Sequence, residues 1–352
     1  MLRNFLNYKN MESSISIIDR LNLPRTYATI NLLKPATYSS VDDFKLTWSS
    51  IENYRVIQKI GRGKYSEVFD GVNTENQERV CIKVLKPVRN AKILREIKIL
   101  QNLCDGPNII KLYDVARDES SKTPCLVFEH IENTHYRGLF ASIKEGEMRY
   151  YMYQLLRALD YSHSQGIMHR DVKPQNIMYD QPKKRLRLID WGLADFYIPN
   201  TSYNVRVASR YYKGPELLVD DTKYHYGLDV WSAGCTMAEI MFKKDTMFEG
   251  ADNNDQLIKI SKVLGTDDLL EYMRKYNLTL NTYYQSKLDR CPKRSLKTFI
   301  TSDCKDLVSE EGLDLLEKML QYDKNLRITA AEALEHPFFA KIREARANSI
   351  KK

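Results

Sequence analysis

The sequence predicts an α+β chain of two lobes, a small antiparallel β lobe with one key helix followed by a larger, mainly helical lobe. Three observations carry this. Between Tyr54 and His130 the apolar residues fall in short β-rich runs separated by Gly- and Asn-rich turns. One helical pattern interrupts them, with Ile93, Ile97 and Leu100 at helical spacing and Glu96 among them. After about Asn133 the pattern changes to long amphipathic helices.

Taken in order, Met1 to about Arg25 mixes Asn, Ser and isolated charges without a period and is expected to be weakly ordered. Its first residues resemble the start of a transit peptide, but Glu12 and Asp19 count against that, because such peptides avoid acids. Strands are expected over Tyr54–Ile60, Ser66–Phe69, Arg79–Leu85 and Cys125–Phe128. In the second lobe Met148, Met152, Leu155 and Leu159 share one helix face, and Gly166 is a natural stop. Asp229–Met241 and Gly312–Leu320 repeat that style. The expected division is a leader and bracing segment over 1–50, a small lobe over 51–132, a large lobe over 133–340 and a tail over 341–352.

At 352 residues the chain can bury a substantial core, as one two-lobed domain or two small ones. Its 43% hydrophobic and 28% charged residues are ordinary globular proportions. No apolar run approaches the roughly 18 residues a membrane span needs. Six scattered cysteines with no Cys-x-x-Cys pair argue against a zinc site or disulfide framework and fit a reducing compartment. Lys and Arg exceed Asp and Glu by 54 to 46, a net +8 that suggests an anionic partner only if the cations cluster.

The chemistry is concentrated in His169-Arg170-Asp171-Val172-Lys173-Pro174-Gln175-Asn176, followed by Asp190-Trp191-Gly192. Phosphoryl transfer needs one carboxylate to receive a substrate hydroxyl and a second, with an Asn, to hold Mg²⁺ on the nucleotide. Asp171 is the candidate base, Lys173 can neutralise the γ-phosphate, and Asn176 and Asp190 supply oxygen ligands. His169 is expected to pack and hydrogen-bond rather than exchange protons. Upstream, Gly61-Arg62-Gly63-Lys64-Tyr65-Ser66 lies between two expected strands, where glycines let the backbone close over phosphates. Ser66 replaces the third glycine, so the loop alone is a weak signal. Lys83 on the next strand and Glu96 on the following helix complete a nucleotide clamp. Glu216 and Arg327 are expected to form a structural pair.

These motifs match a protein kinase, and the chain resembles the casein kinase 2 catalytic (alpha) subunit family. The resemblance rests on Gly61-Arg-Gly-Lys-Tyr-Ser-Glu-Val-Phe69, Gly166-Ile-Met-His-Arg-Asp-Val-Lys-Pro174, Leu186-Arg-Leu-Ile-Asp-Trp-Gly-Leu-Ala194 and Tyr203-Asn-Val-Arg-Val-Ala-Ser-Arg-Tyr211, and runs from about Tyr27 to Phe339. It implies the bilobal protein kinase fold and a nucleotide site of the loop residues Ile60, Gly61, Arg62, Gly63, Lys64, Tyr65, Ser66 and Val68. Ile82, Lys83 and Glu96 join it, with Phe128, Glu129 and Ile131 at the hinge and Met178 and Ile189 below the base.

The resemblance further implies transfer from ATP, and from GTP in the family's manner, with Mg²⁺, to Ser or Thr followed by acidic residues. Arg206, Arg210 and Lys213 are expected to face the +1 residue, and Arg89, Lys92 and Arg95 the residues beyond it. The family's lysine run is here Arg89-Asn90-Ala91-Lys92-Ile93-Leu94, with fewer charges, so acids beyond +1 are expected to matter less. Tyr27 through Trp48 resembles a segment that braces the activation loop. The family also implies a regulatory beta dimer giving an alpha2beta2 assembly, with Val56, Phe69 and Val84 as contact candidates, and a nuclear and cytoplasmic location. A pseudokinase scaffold typically lacks one of Lys83, Glu96, Asp171, Lys173, Asn176 or Asp190, and all are present. A nucleic-acid-binding protein predicts a basic stripe with interleaved aromatics, which the sequence lacks, so neither nucleic-acid binding nor membrane association is expected.

Overall fold

The computed structural model describes residues 21–350 apart from 43, 64, 88, 89 and 286. The small lobe is a six-stranded sheet of β1 (Ser49–Ser50), β2 (Tyr54–Arg62), β3 (Ser66–Asn73), β4 (Arg79–Leu85), β5 (Leu112–Arg117) and β6 (Pro124–Glu129). The strand order is β1-β5-β6-β4-β3-β2, antiparallel except where β1 runs parallel to β5. All four expected strands are present. β2 runs on to Arg62 because the hairpin keeps pairing, Gly61 with Val68 and Arg62 with Glu67. β5 was not expected. Its Leu-Tyr-Asp-Val-Ala-Arg sequence hides the strand, and Asp114 is held by the Ser49 and Tyr54 hydroxyls, each at 2.7 Å.

Before the sheet come two single helical turns, α1 (Ile30–Leu33) and α2 (Ala36–Ser39), and between β4 and β5 lies α3 (Asn90–Asn102). Ile93, Ile97 and Leu100 are buried on α3 as their spacing predicts, joined by Ile99 and Leu103.

The large lobe begins with α4 (Tyr136–Ser142) and α5 (Glu145–Ser164), then β7 (Ile167–Met168), β8 (Ile177–Asp180), β9 (Arg185–Leu188) and β10 (Asp195–Phe196). Short α6 (Pro215–Leu218) precedes α7 (Gly227–Phe242), whose every residue is buried. The rest is α8 (Asn253–Leu264), α9 (Asp267–Lys275), α10 (Thr282–Gln285), α11 (Glu310–Met319), α12 (Ala330–Glu335) and α13 (Ala340–Ile350). Met148, Met152, Leu155 and Leu159 of α5 are all fully buried, as one apolar face requires.

The leader expectation is corrected in part. Leu21 to Arg25 dock on the large lobe: Arg25 pairs with Glu332 at 2.5 Å, and Asn22 accepts from the buried Lys324 amine at 2.8 Å. Residues 1–20 lie outside the described residues. Beyond Arg25 the chain forms a strap. Tyr27 donates to Asp160 at 2.9 Å, and the Asn31 amide donates to the carbonyls of Gly166 at 2.7 Å and Tyr197 at 2.8 Å. Gly166 stands at φ +76°, the left-handed turn that ends α5, and a Cβ there would sit 2.4 Å from Asn31. The strap then rises to the small lobe, where the Asn102 amide reaches the Tyr38 carbonyl at 3.0 Å and β1 joins the sheet. In the C-terminal segment, α13 carries the described part, with Arg343 donating to the carbonyls of Leu334 at 2.8 Å and His336 at 2.9 Å.

One residue of α7 makes stability depend on pH. Glu239 is 2% exposed, and burial pushes its carboxyl up to about 8, even though it accepts from the Tyr212 hydroxyl at 3.0 Å. A folded-state pKa above the unfolded one gives stabilisation that is full below the unfolded value and is lost as pH rises through about 8. The expected loss across that window is on the order of several kcal/mol, at about 1.4 per unit. Glu239→Gln should flatten the fall in Tm between about pH 5 and about pH 9. An unchanged slope in thermal unfolding contradicts this account.

Candidate active site

The two lobes enclose a cleft of about 340 Å³, a size suited to a small organic ligand. Its roof is the β2–β3 hairpin: Ile60, Gly61, Arg62, Gly63, Ser66 and Val68 all line it. Phe128, Glu129 and Ile131 form the back wall, Met178 and Ile189 the floor, and Lys83, Asn176 and Asp190 the polar end. Lys64 lies outside the described residues. Tyr65 does not line the cleft and is half exposed at the hairpin tip.

Ile82 is a correction. Side chains alternate along a strand, so the residue sharing the face of Lys83 is Cys81, and Cys81 lines the cleft. Ile82 points the other way, wholly buried with Val80, Ala116, Cys125 and Val127. Period-two alternation counted from Lys83 was the signal available. Ile110, His130 and Gln175 complete the lining.

At the polar end, Lys83 donates to Glu96 at 2.8 Å and to Asp190 at 2.9 Å. Burial alone lowers a lysine's pKa, but the two carboxylates outweigh it and hold Lys83 above the usual lysine range. For Asp190 burial works against the charge, and Lys83 more than offsets it, so its carboxyl lies below the usual range. Asp190 sits at φ +59°, a left-handed conformation uncommon for a non-glycine residue. Next to it, the Trp191 indole donates to the Leu188 carbonyl at 3.1 Å and locks the turn, in line with the role expected for that extra donor.

Asp171 is held from four sides. One oxygen accepts from the Ser209 N–H at 2.9 Å and the Ser209 hydroxyl at 3.0 Å. The other accepts from Lys173 at 2.8 Å and Asn176 at 3.0 Å. Ser209 follows Ala208, which stands at φ +61°, so a kinked backbone delivers it. The loop itself hangs from Asp229 on α7, which accepts from the backbone N–H of His169 at 2.8 Å and of Arg170 at 2.7 Å. Sequence reasoning missed Asp229; an acid in the first turn of a mainly apolar helix was the signal. His169 is fully buried, with its ring at 3.0 Å from the Ile189 carbonyl, and it plays the packing part expected of it.

The residues present fit a magnesium ion bound with nucleotide. Asn176 uses its amide N–H on the Asp171 carbonyl at 2.8 Å and on the Asp171 carboxylate, leaving its oxygen as ligand beside Asp190. Two protein oxygens suffice, because Mg²⁺ takes its remaining ligands from phosphates and water. Among the described residues no group of three His, Cys, Asp or Glu could hold a metal by itself.

The cations divide. Arg206 and Lys92 are exposed and line a second cavity with Arg95. Arg95 is a correction: its guanidinium pairs with Asp195 at 3.0 Å, so it is not free for substrate. Lys213 is buried with its amine on the Val207 carbonyl at 2.6 Å, and burial lowers its pKa. Arg210 donates to the Ala251 carbonyl at 2.6 Å. Arg89 lies outside the described residues. The Glu216–Arg327 pair is bidentate, at 2.8 and 3.0 Å, and wholly buried.

A family model described as the protein kinase domain matches residues 54–339. That span opens on the first residue of β2, closes just before α13, and includes the clamp, the loop around Asp171 and the buried Glu216–Arg327 pair. The chain thus belongs to the protein kinase family of eukaryotic type, enzymes that transfer a phosphoryl group from ATP to protein.

Proposed function

We propose that this kinase phosphorylates serine or threonine followed by acidic residues, as a casein kinase 2 catalytic subunit. One observation carries the reading. Lys213 and Arg210 rest on neutral carbonyls, and Arg206 has no ion pair among the described residues, so three cations of the activation segment lack a salt-bridge partner there. A segment with acids after the acceptor would neutralise them through charge-assisted contacts, each worth roughly 1.5–3 kcal/mol. The resemblance in the hairpin, the Asp-Trp-Gly turn and the activation segment supports the same reading.

In the transfer, Lys83 orients the α- and β-phosphates, with Glu96 fixing the lysine. Asp171 orients the acceptor hydroxyl and takes its proton, and Lys173 balances charge on the transferred group. Asn176 and Asp190 would hold Mg²⁺, which would supply neutralisation of the phosphate charge. Ser209 holds Asp171 and Lys173 together, its hydroxyl donating to Asp171 at 3.0 Å and accepting from Lys173 at 2.7 Å. GTP use alongside ATP, and a regulatory beta dimer on the outer sheet, belong to the same proposal. Val56 is 51% exposed there, whereas Phe69 and Val84 pack partly on the sheet's own core.

The test is labelled γ-phosphate transfer to two serine peptides, one with Asp at +1 to +4 and one with Arg upstream. Transfer to the acidic peptide alone is expected. Arg206→Ala should raise its KM about tenfold, the loss of one such contact, with kcat nearly unchanged. Equal use of both peptides would sink the acidic reading. A substrate panel in which Asp at +3 matters as much as at +1 would overturn the expected weakening beyond +1.

A further inference from the structure

The second cavity, of about 520 Å³, lies between α3, the activation segment and the strap. Lys92, Arg95, Arg170 and Arg206 line it, and Asp195 is the one acid in its lining. That carboxylate is already shared by Arg95 at 3.0 Å and Arg170 at 2.9 Å. Such an excess of cations suits a group of two negative charges and several acceptor oxygens, which is what a phosphoserine carries.

The strap supplies a wall. Ser39, the last residue of α2, lines the cavity with Val41. Its hydroxyl makes no hydrogen bond among the described residues, and its neighbour fixes its place: Tyr38 packs edge-on against Phe196 and donates to the Gln165 carbonyl at 2.8 Å. Thr201 and Ser202 also line the cavity, but the residues after them are Tyr203, Asn204 and Val205, with no acid. After Ser39 come Ser40, Val41, Asp42 and Asp43, which place acids at +3 and +4 but none at +1, so Ser39 is expected to be a slower acceptor than a peptide acidic at +1.

We propose that Ser39 is a phosphoacceptor of this kinase, and that its phosphate lodges against Lys92 and Arg206, beside the Arg95–Asp195–Arg170 cluster, withdrawing Lys92 and Arg206 from acidic substrates. The proposal rests on the acidic-site reading above. The Ser39 Oγ of one copy attacks the γ-phosphorus of ATP held by a second copy. The bond to the β–γ bridging oxygen breaks, ADP leaves with that electron pair, and the Ser39 proton passes to the carboxylate of the catalytic Asp in the second copy. A single helical turn such as α2 is marginal in isolation, so the segment can leave its seat to enter another cleft. Once phosphorylated it returns to Lys92 and Arg206, and the product restrains its own enzyme.

The experiment incubates the full chain with Mg²⁺ and ATP, maps phosphorylated residues by mass spectrometry, and measures KM for the acidic peptide before and after. Phosphate at Ser39 with KM raised about tenfold or more is expected, the size of at least one withdrawn charge-assisted contact. Ser39→Ala should hold KM constant, and Ser40→Ala should behave as wild type. The acidic peptide phosphorylated with Ser39 unmodified overturns the proposal, as does phosphate at Ser39 with KM unchanged. If neither peptide nor Ser39 is modified, the acidic-site reading itself fails. A chain carrying encoded phosphoserine at 39 then decides the docking: undiminished affinity for the acidic peptide overturns it.

Discussion

Asp171→Asn is expected to slow phosphoryl transfer by about 10²–10⁴-fold while nucleotide affinity stays near wild type. The base is lost, and so is its seat. All groups around the carboxylate are donors: Ser209 N–H and hydroxyl on one oxygen, Lys173 and Asn176 on the other. An amide places an N–H₂ against one of these pairs, so donors face donors and either Ser209 or Lys173 must shift. The nucleotide clamp at Lys83, Glu96 and Asp190 touches none of them. Single-turnover transfer and a nucleotide titration on the same protein separate the two effects. A rate within about tenfold of wild type would remove Asp171 from the role of base.

The second large effect is on stability. Arg327→Ala should cost about 3–5 kcal/mol, because it leaves the Glu216 carboxylate buried without its partner. Both side chains are wholly buried, and Arg327 also donates to the carbonyls of Gly227 at 2.6 Å and Gln321 at 3.0 Å. Its guanidinium lies over the Trp231 ring at 5.2 Å, so packing is lost along with charge. Urea unfolding should show a lowered midpoint. Glu216→Leu combined with Arg327→Met should recover part of the loss, since apolar residues leave no orphaned charge. A single variant as stable as wild type would show that the pair contributes nothing.

Much of this architecture was legible because its causes are local. Met148, Met152, Leu155 and Leu159 announce α5 by spacing, and Glu96 and Lys83 meet because one lies on α3 and the other on the strand before it. The misreadings have causes that are not local. Ile82 was assigned to the cleft by its neighbourhood to Lys83, whereas strand alternation gives that face to Cys81. Arg95 looked free until the fold brought Asp195, a hundred residues on, to its side. Leu21 to Arg25 show no period, since their order comes from Lys324, Asn325 and Glu332 rather than from their own packing. Asp229 serves the catalytic loop from sixty residues away. Pattern reveals which face a side chain takes within an element; it does not reveal which distant carboxylate arrives to meet it.

The strap has a mechanical consequence. Residues 27–50 fasten the large lobe, through Tyr27 and Asn31, to the small lobe, through the Asn102–Tyr38 contact and β1. The segment after β6 joins the same two bodies, so the chain forms a closed linkage with two attachment points instead of one. Any movement of one lobe on the other therefore has to be accommodated by the strap as well as by the segment after β6. Cutting the strap near residue 45 would lift that requirement without altering any residue that touches nucleotide.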